Sequence, residues 1–178
     1  MRRFGIVLCI SVLLSQFVAA TDYKSIKGGF QASFPADVEE IVVDPYSSAW
    51  TSIDYIDQIF VMHQVAVLKE KPGKPLHYES HDEYRAFFNI FLNELMQGYT
   101  KSRVISSEYI MWKNQYPALK YTFQGVMGGY DIEVINEGLA LIYKGKLVKS
   151  SLIFPPILHD DARLINMVNG FHNSLAIF

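Results

Sequence analysis

The sequence predicts an α+β fold in which a central antiparallel β-sheet is flanked by helices. Residues 57–69 alternate regularly between two largely apolar faces, as expected for a central strand that is covered on both sides. Residues 81–97 follow a capping box and carry apolar side chains at helical spacing. Further strand patterns then lead to a closing helix, and this grouping of strands and helices is typical of the α+β class.

The first twenty residues have the three parts of a secretory signal peptide. Arg2 and Arg3 form a positive start, residues 4–14 are an apolar run, and Val18-Ala19-Ala20 offers small residues for cleavage. The apolar run is too short for a membrane anchor, which needs about 20 such residues. We therefore expect residues 1–20 to be removed, with export by the general secretory route to the periplasm or the medium.

The remaining chain, residues 21–178, has the length of one domain. Loss of Arg2 and Arg3 leaves 14 basic and 18 acidic residues, a net charge of −4, which is unlike the basic surface of a nucleic-acid-binding protein. The only cysteine, Cys9, leaves with the signal, so we expect neither a disulfide nor a thiolate. No apolar stretch after residue 20 is long enough to span a membrane, and we expect a monomer.

The first elements of the mature chain are a short strand and an aromatic loop. Phe30, Ala32 and Phe34 alternate before a proline and predict a strand over 30–34. Residues 44–55 read as a loop. This loop contains three aromatic residues, Tyr46, Trp50 and Tyr55, which we expect to be candidate partner-binding residues because loop aromatics are frequent binding anchors. The alternative is that Trp50 fills the edge of the core.

A helix is predicted over residues 81–97. Ser80 and Glu83 form its capping box, and Gly98 is a natural C-terminal cap. The large apolar residues that follow fall on one stripe of this helix, which we expect to be buried. They are Tyr84, Phe87, Phe88, Phe91, Leu92 and Leu95.

Strands then dominate until a second helix closes the chain. The strands are expected near residues 103–112, 118–125, 130–143 and 147–154, with a hairpin turn at Lys144-Gly145-Lys146 between the last two. Asp160 or Asp161 can cap the closing helix. The predicted buried side of that helix carries Ile165, Val168, Phe171 and Leu175.

Three short patterns resemble the PsbP-like family, whose fold is an α/β/α sandwich. Gly29-Phe30-Gln31-Ala32-Ser33-Phe34-Pro35 is similar to the opening strand of that family. The aromatic-rich helix at 81–97 precedes a meander of strands, and Phe171-His172-Asn173-Ser174-Leu175 is similar to the closing motif, with Leu175 in place of the usual aromatic residue. The resemblance implies a sheet between helices and a binding or accessory role rather than catalysis, by analogy of fold alone.

The histidines and the glycines do not predict a metal or cofactor site. His77 and His81 are four residues apart, but the expected helix start at Ser80 separates them. His63 lies mid-strand among apolar residues, and His159 precedes a capping region. No P-loop, dinucleotide fingerprint or nucleophile elbow is present, so no cofactor is expected.

The sequence therefore favours an exported, non-enzymatic binding or accessory protein of a bacterium, whose partner is an unidentified protein or small ligand. Two alternatives stay open at this point. One is a small secreted hydrolase with a non-standard site around His63 or His77. The other is a protein that maintains the cell envelope.

Overall fold

The computed structural model describes residues 20–73 and 75–178. The predicted signal peptide lies outside the described residues, apart from its last residue, Ala20. The elements follow in this order: β1 Thr21–Ser25, β2 Phe30–Phe34, β3 Glu39–Asp44, β4 Ser47–Ile56, β5 Ile59–Lys69, α1 His81–Met96, β6 Tyr99–Trp112, β7 Tyr116–Met127, β8 Ile132–Tyr143, β9 Lys146–Phe154, a 3-10 helix Pro156–Leu158, α2 Ala162–Ser174 and β10 Ala176–Ile177.

Seven strands form one antiparallel sheet in the order β3-β4-β5-β9-β8-β7-β6. The prediction of an interior strand within residues 57–69 is confirmed for Ile59–Lys69, because β5 pairs with both β4 and β9, while Asp57 and Gln58 form the turn before it. The turn predicted between the last two strands consists of Lys144 and Gly145, whose φ angles of 47° and 70° suit a tight hairpin. Lys146 already pairs with Tyr143 as the first residue of β9.

Helix α1 covers one face of this sheet, where it packs against β6 and β7. The capping box is present as predicted: the Ser80 hydroxyl accepts from the Glu83 N–H, and the Glu83 carboxylate accepts from the Ser80 N–H. Within the predicted apolar stripe, Phe88 and Leu92 are fully buried. The other stripe residues are only half-buried, because they flank the line of contact with the sheet.

Helix α2 and a second, three-stranded sheet cover the opposite face. The small sheet has the order β1-β2-β10, and α2 packs against β2 and β9. The strand predicted at 30–34 is confirmed as β2, although its partners β1 and β10 were not foreseen.

The buried side of α2 differs from the prediction at one position. Asp161 caps the helix, with its side chain accepting from the Arg163 N–H. The prediction that Ile165 is buried was wrong, because it is half-exposed, and Leu164 is buried instead. Leu164 leads a stripe at spacings of four, three and four residues to Leu175, and Ile165 lies about 100° further round the helix.

The chain buries two hydrophobic cores, one on each side of the seven-stranded sheet. Alternate residues of single strands supply the two cores: Ala118 of β7 belongs to the core under α2, and Leu119 belongs to the core under α1. Over the described residues the structure is therefore α+β, consists mostly of antiparallel sheet, and contains two α-helices.

Candidate functional site at the edge strand β3

Strand β3 is one border of the seven-stranded sheet. Among the described residues it pairs with β4 alone, so its outer side leaves backbone N–H and C=O groups without a strand partner. Its central residues are Ile41, Val42 and Val43, whose side chains are 45%, 59% and 69% exposed. Three consecutive apolar side chains on an unpaired edge are an ordinary feature of strands that bind other polypeptides.

One further exposed apolar side chain continues this edge. It is Tyr46, in the turn that leads to β4, whereas the exposed Ile53 and Tyr55 lie on β4 beyond the residues that pair with β3. We call the exposed apolar residues of β3 and its turn the edge patch, and it consists of Ile41, Val42, Val43 and Tyr46. The patch extends over both faces of the sheet, because Val42 and Ile41 point to opposite sides of the strand.

A small pocket of about 90 Å³ lies beside Val42. Trp50, Tyr46 and Val67 supply its apolar walls, and Lys27 and Lys69 are among its polar residues. The β1–β2 turn closes one side of the pocket at Gly28, where any side chain would collide with Trp50 and Phe30. A pocket of this size is well below the 300–1,000 Å³ typical of small-molecule sites, so it suits one small side chain.

Exposed ion pairs lie at the two ends of β3. Lys27 in the β1–β2 turn contacts Glu40 at 2.5 Å, and Lys71 contacts Asp44 at 3.1 Å. Asp44 also accepts from the Tyr46 N–H at 2.7 Å. Hydrogen bonds from Ser47, Lys71 and the Tyr46 N–H lower the pKa of Asp44 to about 2. The turn between β3 and β4 is thus fixed around an ionised carboxylate.

The structure corrects the prediction of an aromatic loop at 44–55. Most of this segment is strand β4, and Trp50 is only 1% exposed, with its ring against Phe30 at a centroid distance of 4.9 Å. The alternative that Trp50 fills the core therefore holds, because its side of β4 faces the core under α2. Tyr46 and Tyr55 lie at opposite ends of β4, so the three aromatic residues do not form one surface.

The candidate metal ligands do not come together. His77 is exposed in the loop before α1, whereas His81 bonds the Tyr109 hydroxyl through Nδ1 at 2.9 Å. His159 ends the 3-10 helix and lines a second pocket of about 50 Å³ beside α2. Residues 20–73 and 75–178 contain no group of three histidine, cysteine or acidic side chains arranged to hold a metal ion.

Two histidines lie between α2 and the sheet, His63 buried and His172 half-buried, and sequence reasoning identified only His63 as a candidate. His63 is buried with its ring edge-on to Phe171, at a centroid distance of 5.0 Å, and neither ring nitrogen has a partner among the described residues. His172 of α2 bonds the buried Ser150 hydroxyl through Nδ1 at 2.9 Å. Burial lowers the pKa of each histidine to about 4. Both residues therefore stay neutral near pH 7 inside the core.

A buried lysine on the opposite face was also missed. Lys149 of β9 is nearly inaccessible, and its ammonium donates to the Gln64 side chain at 2.7 Å. Burial lowers the pKa of Lys149 to about 8. The available signal was a single lysine in the strand predicted at residues 147–154, but that pattern does not distinguish a buried lysine from an exposed one.

Comparison with known proteins identifies the fold. No family model matches the chain, and no curated protein matches its sequence. The solution structure of cyanobacterial PsbP (CyanoP) from Synechocystis sp. PCC 6803 is similar, with a TM-score of 0.61 at 14% identity, over 98% of each chain. A protein of unknown function from Pseudomonas aeruginosa, PA94, described as a putative regulator, is also similar, with a TM-score of 0.50 at 10% identity, over 84% of this chain and 94% of that one. The fold is therefore PsbP-like. None of the helices within the described residues is both long and apolar enough to cross a membrane.

Proposed function

We propose that this PsbP-like chain is an exported bacterial binding or accessory protein that docks a partner at the edge patch and performs no catalysis itself. The observation that carries the proposal is the apolar run Ile41-Val42-Val43 on an unpaired edge strand. Proteins usually blunt such edges with charges, prolines or covering elements, because an open apolar edge recruits other chains. An exposed apolar edge that is retained beside a small pocket supports a role in binding.

The location of the first strand supports export. The proposed cleavage after Ala20 falls immediately before β1, which begins at Thr21. Removal of the signal would therefore leave the small sheet complete. The pattern of Arg2, Arg3 and the apolar run that follows is the basis for the general secretory route.

The placement of the helices supports the more detailed description of the fold as an α/β/α sandwich. Phe88 of α1 belongs to one core, and Phe171 of α2 belongs to the other. In this description, the small sheet is an addition to the α2 layer. The binding edge then lies at the border of the central sheet.

Site-specific photo-cross-linking in the native host would test this proposal. A photoreactive phenylalanine analogue would replace Val43 in the edge patch or, as a control, Tyr130, which is equally exposed in the β7–β8 turn. We expect one recurrent protein adduct from position 43 and none from position 130. Equal labelling at both positions, or no adduct at either, would contradict the docking surface.

Cell fractionation with intact-mass analysis would test export in the same cells. We expect a mature chain beginning at Thr21, found in the periplasm or the medium. A chain that sediments with the envelope would instead favour the envelope-maintenance alternative. An uncleaved chain in the cytoplasm would contradict export.

A further inference from the structure

We infer that the edge of β3 binds an extended segment of a partner polypeptide as an additional strand, and that this segment is apolar and flanked by lysine or arginine. The inference rests on the proposed function, since it names the kind of partner that the edge patch would accept. Three features support it: the open backbone of β3, the apolar side chains on its two faces, and the acidic residues at its two ends.

The outer side of β3 offers a short open stretch of backbone. Strand β6, the other border, contains two register shifts, and it has Lys101 at a positive φ of 51° and Arg103 near one end. Bulges and charges of this kind are the usual protection of an edge strand. Strand β3 has one such shift, between Val42 and Asp44, but it is regularly paired with β4 and exposed from Glu39 to Val42. A partner strand can therefore continue the ladder over these residues.

The side chains of β3 would contact an added strand on both faces. Val42 faces the small pocket, and Ile41 points to the other side of the sheet. Alternate side chains of the added strand would then pack against Ile41 on one face and enter the pocket beside Val42 on the other. The pocket volume of about 90 Å³ limits the entering group to one small apolar side chain.

The acidic residues at the two ends of β3 favour a partner segment with basic flanking residues. The strand begins with Glu39 and Glu40 and ends with Asp44. In symmetric antiparallel pairing with a second copy of β3, the start of each strand would lie opposite the end of the other. Acidic side chains would then face each other across the ladder, which is unfavourable.

A partner strand with a basic residue at each end would instead place opposite charges across the ladder. Lys27 and Lys71 now pair with Glu40 and Asp44 through exposed salt bridges. Exposed pairs of this kind contribute little stability, so an incoming lysine or arginine can share or replace them. We therefore assign the edge to a partner strand with a basic residue at each end rather than to a second copy.

The test combines two reagents. One is the protein in the form that accumulates in the cell, and the other is a synthetic peptide, acetyl-Lys-Val-Val-Thr-Val-Lys-amide. Backbone amide signals of the protein are followed by NMR as the peptide is added. We expect saturable shifts confined to residues 39–44 and their partners on β4. A matched peptide with glutamate in place of both lysines should bind at least about tenfold more weakly, because it repeats the acidic ends of β3.

Two alternately N-methylated forms of the probe test strand pairing itself. Only alternate N–H groups of an added strand face β3, so one form should lose binding and the other should keep it. The Val42→Lys variant should weaken the peptide at least about tenfold, whereas Val104→Lys, the same change on the β6 edge, should not. Thermal unfolding of both variants checks that each one folds.

Three results would overturn the inference. They are equal binding of both N-methylated forms, equal binding of the glutamate peptide, and concentration-dependent dimers that disappear in Val42→Lys. If the peptide does not bind while position 43 still cross-links a partner in cells, the result supports docking at the edge patch and contradicts strand addition. If the peptide binds and position 43 captures nothing, the proposed docking function falls instead.

Discussion

The two faces of the seven-stranded sheet bury different kinds of polar group. The core under α2 is closed by a helix and a second sheet, and two neutral histidines adjoin it, the buried His63 and the half-buried His172. The core under α1 is closed by the helix together with Leu76 and Tyr78 of the loop before it, and Lys149 is buried on the same face of the sheet. Both sets of groups lie inside the molecule, whereas the exposed apolar groups of the edge patch lie at the border of the sheet.

This difference separates stability from binding. Burial disfavours the charged forms of the two histidines and the lysine, because these groups have few partners in the fold. Each group therefore lowers the free energy of unfolding by an amount that depends on pH. The edge patch contributes little to the folded core and remains available to a partner. Changes within the two cores should therefore alter the free energy of unfolding, and changes at the edge should alter binding.

Acid should produce the largest effect, and it should act on the α2 face. The pKa values of His63 and His172 fall from 6.5 to about 4 on folding. Below pH 6.5 the histidines of the unfolded chain take up protons that the folded chain does not bind. The free energy of unfolding is therefore undiminished above pH 6.5 and falls as the pH is lowered towards 4. The loss is about 3 kcal/mol for each histidine and about 6 kcal/mol for both. Urea unfolding at a series of pH values measures it.

The His63→Leu variant sharpens this prediction. His63 forms no hydrogen bond among the described residues, so leucine removes a titrating group without removing a bond. We expect the slope of stability between pH 6.5 and 4 to fall by about half. An unchanged slope would show that His63 does not account for the acid sensitivity.

Deletion of a core aromatic ring should have the next largest effect. Phe88→Ala empties a fully buried site under α1 and should cost about 3–5 kcal/mol. The control is Ile90→Ala on the same helix, where the side chain is exposed, and it should change stability by less than about 0.5 kcal/mol. A loss under about 1 kcal/mol for Phe88→Ala would mean that the buried face of α1 is misassigned.

Replacement of the buried lysine should stabilise the protein. The pKa of Lys149 falls from 10.5 to about 8 on folding, so the unfolded chain holds a proton that the folded chain binds less tightly. The cost grows as the pH falls from 10.5 to 8 and is about 3 kcal/mol at pH 7. Since Lys149→Met also loses the bond to Gln64, we expect a net gain of about 2 kcal/mol at pH 7. The gain should vanish at pH 10.5, and a destabilised variant at pH 7 would contradict the assignment.

Substitutions at the two sheet edges should have the smallest effect on stability. Val42 and Val104 are both exposed, on β3 and β6 respectively. Lysine at either position should change the free energy of unfolding by less than about 0.5 kcal/mol. A large loss for Val42→Lys alone would mean that the β3 edge belongs to the core rather than to a binding surface.

The sequence predicted local elements well because local rules decide them. The capping box at Ser80 and Glu83 and the tight turn at Gly145 each depend on a few neighbouring residues, and both are present. The regular alternation of residues 57–69 likewise located an interior strand. The PsbP-like fold followed from short motifs that match it in order.

The remaining features depend on contacts between distant segments. Trp50 is buried because β2 lies across β4, and nothing near residue 50 in the sequence signals that contact. The small sheet forms only when the ends of the chain meet, where Ile177 pairs with Phe30. The edge patch depends on which strand has no outer neighbour, which is set by the order of the whole sheet.

The central claim is that the cell uses the β3 edge to hold a partner. Its most direct test is the native size of the protein in a gently prepared extract of its compartment, measured by gel filtration for the wild type, Val42→Lys and Val104→Lys. We predict that the wild type and Val104→Lys elute in a larger complex and that Val42→Lys elutes as the free chain. Identical elution of all three proteins, or loss of the complex in both variants, would contradict the claim.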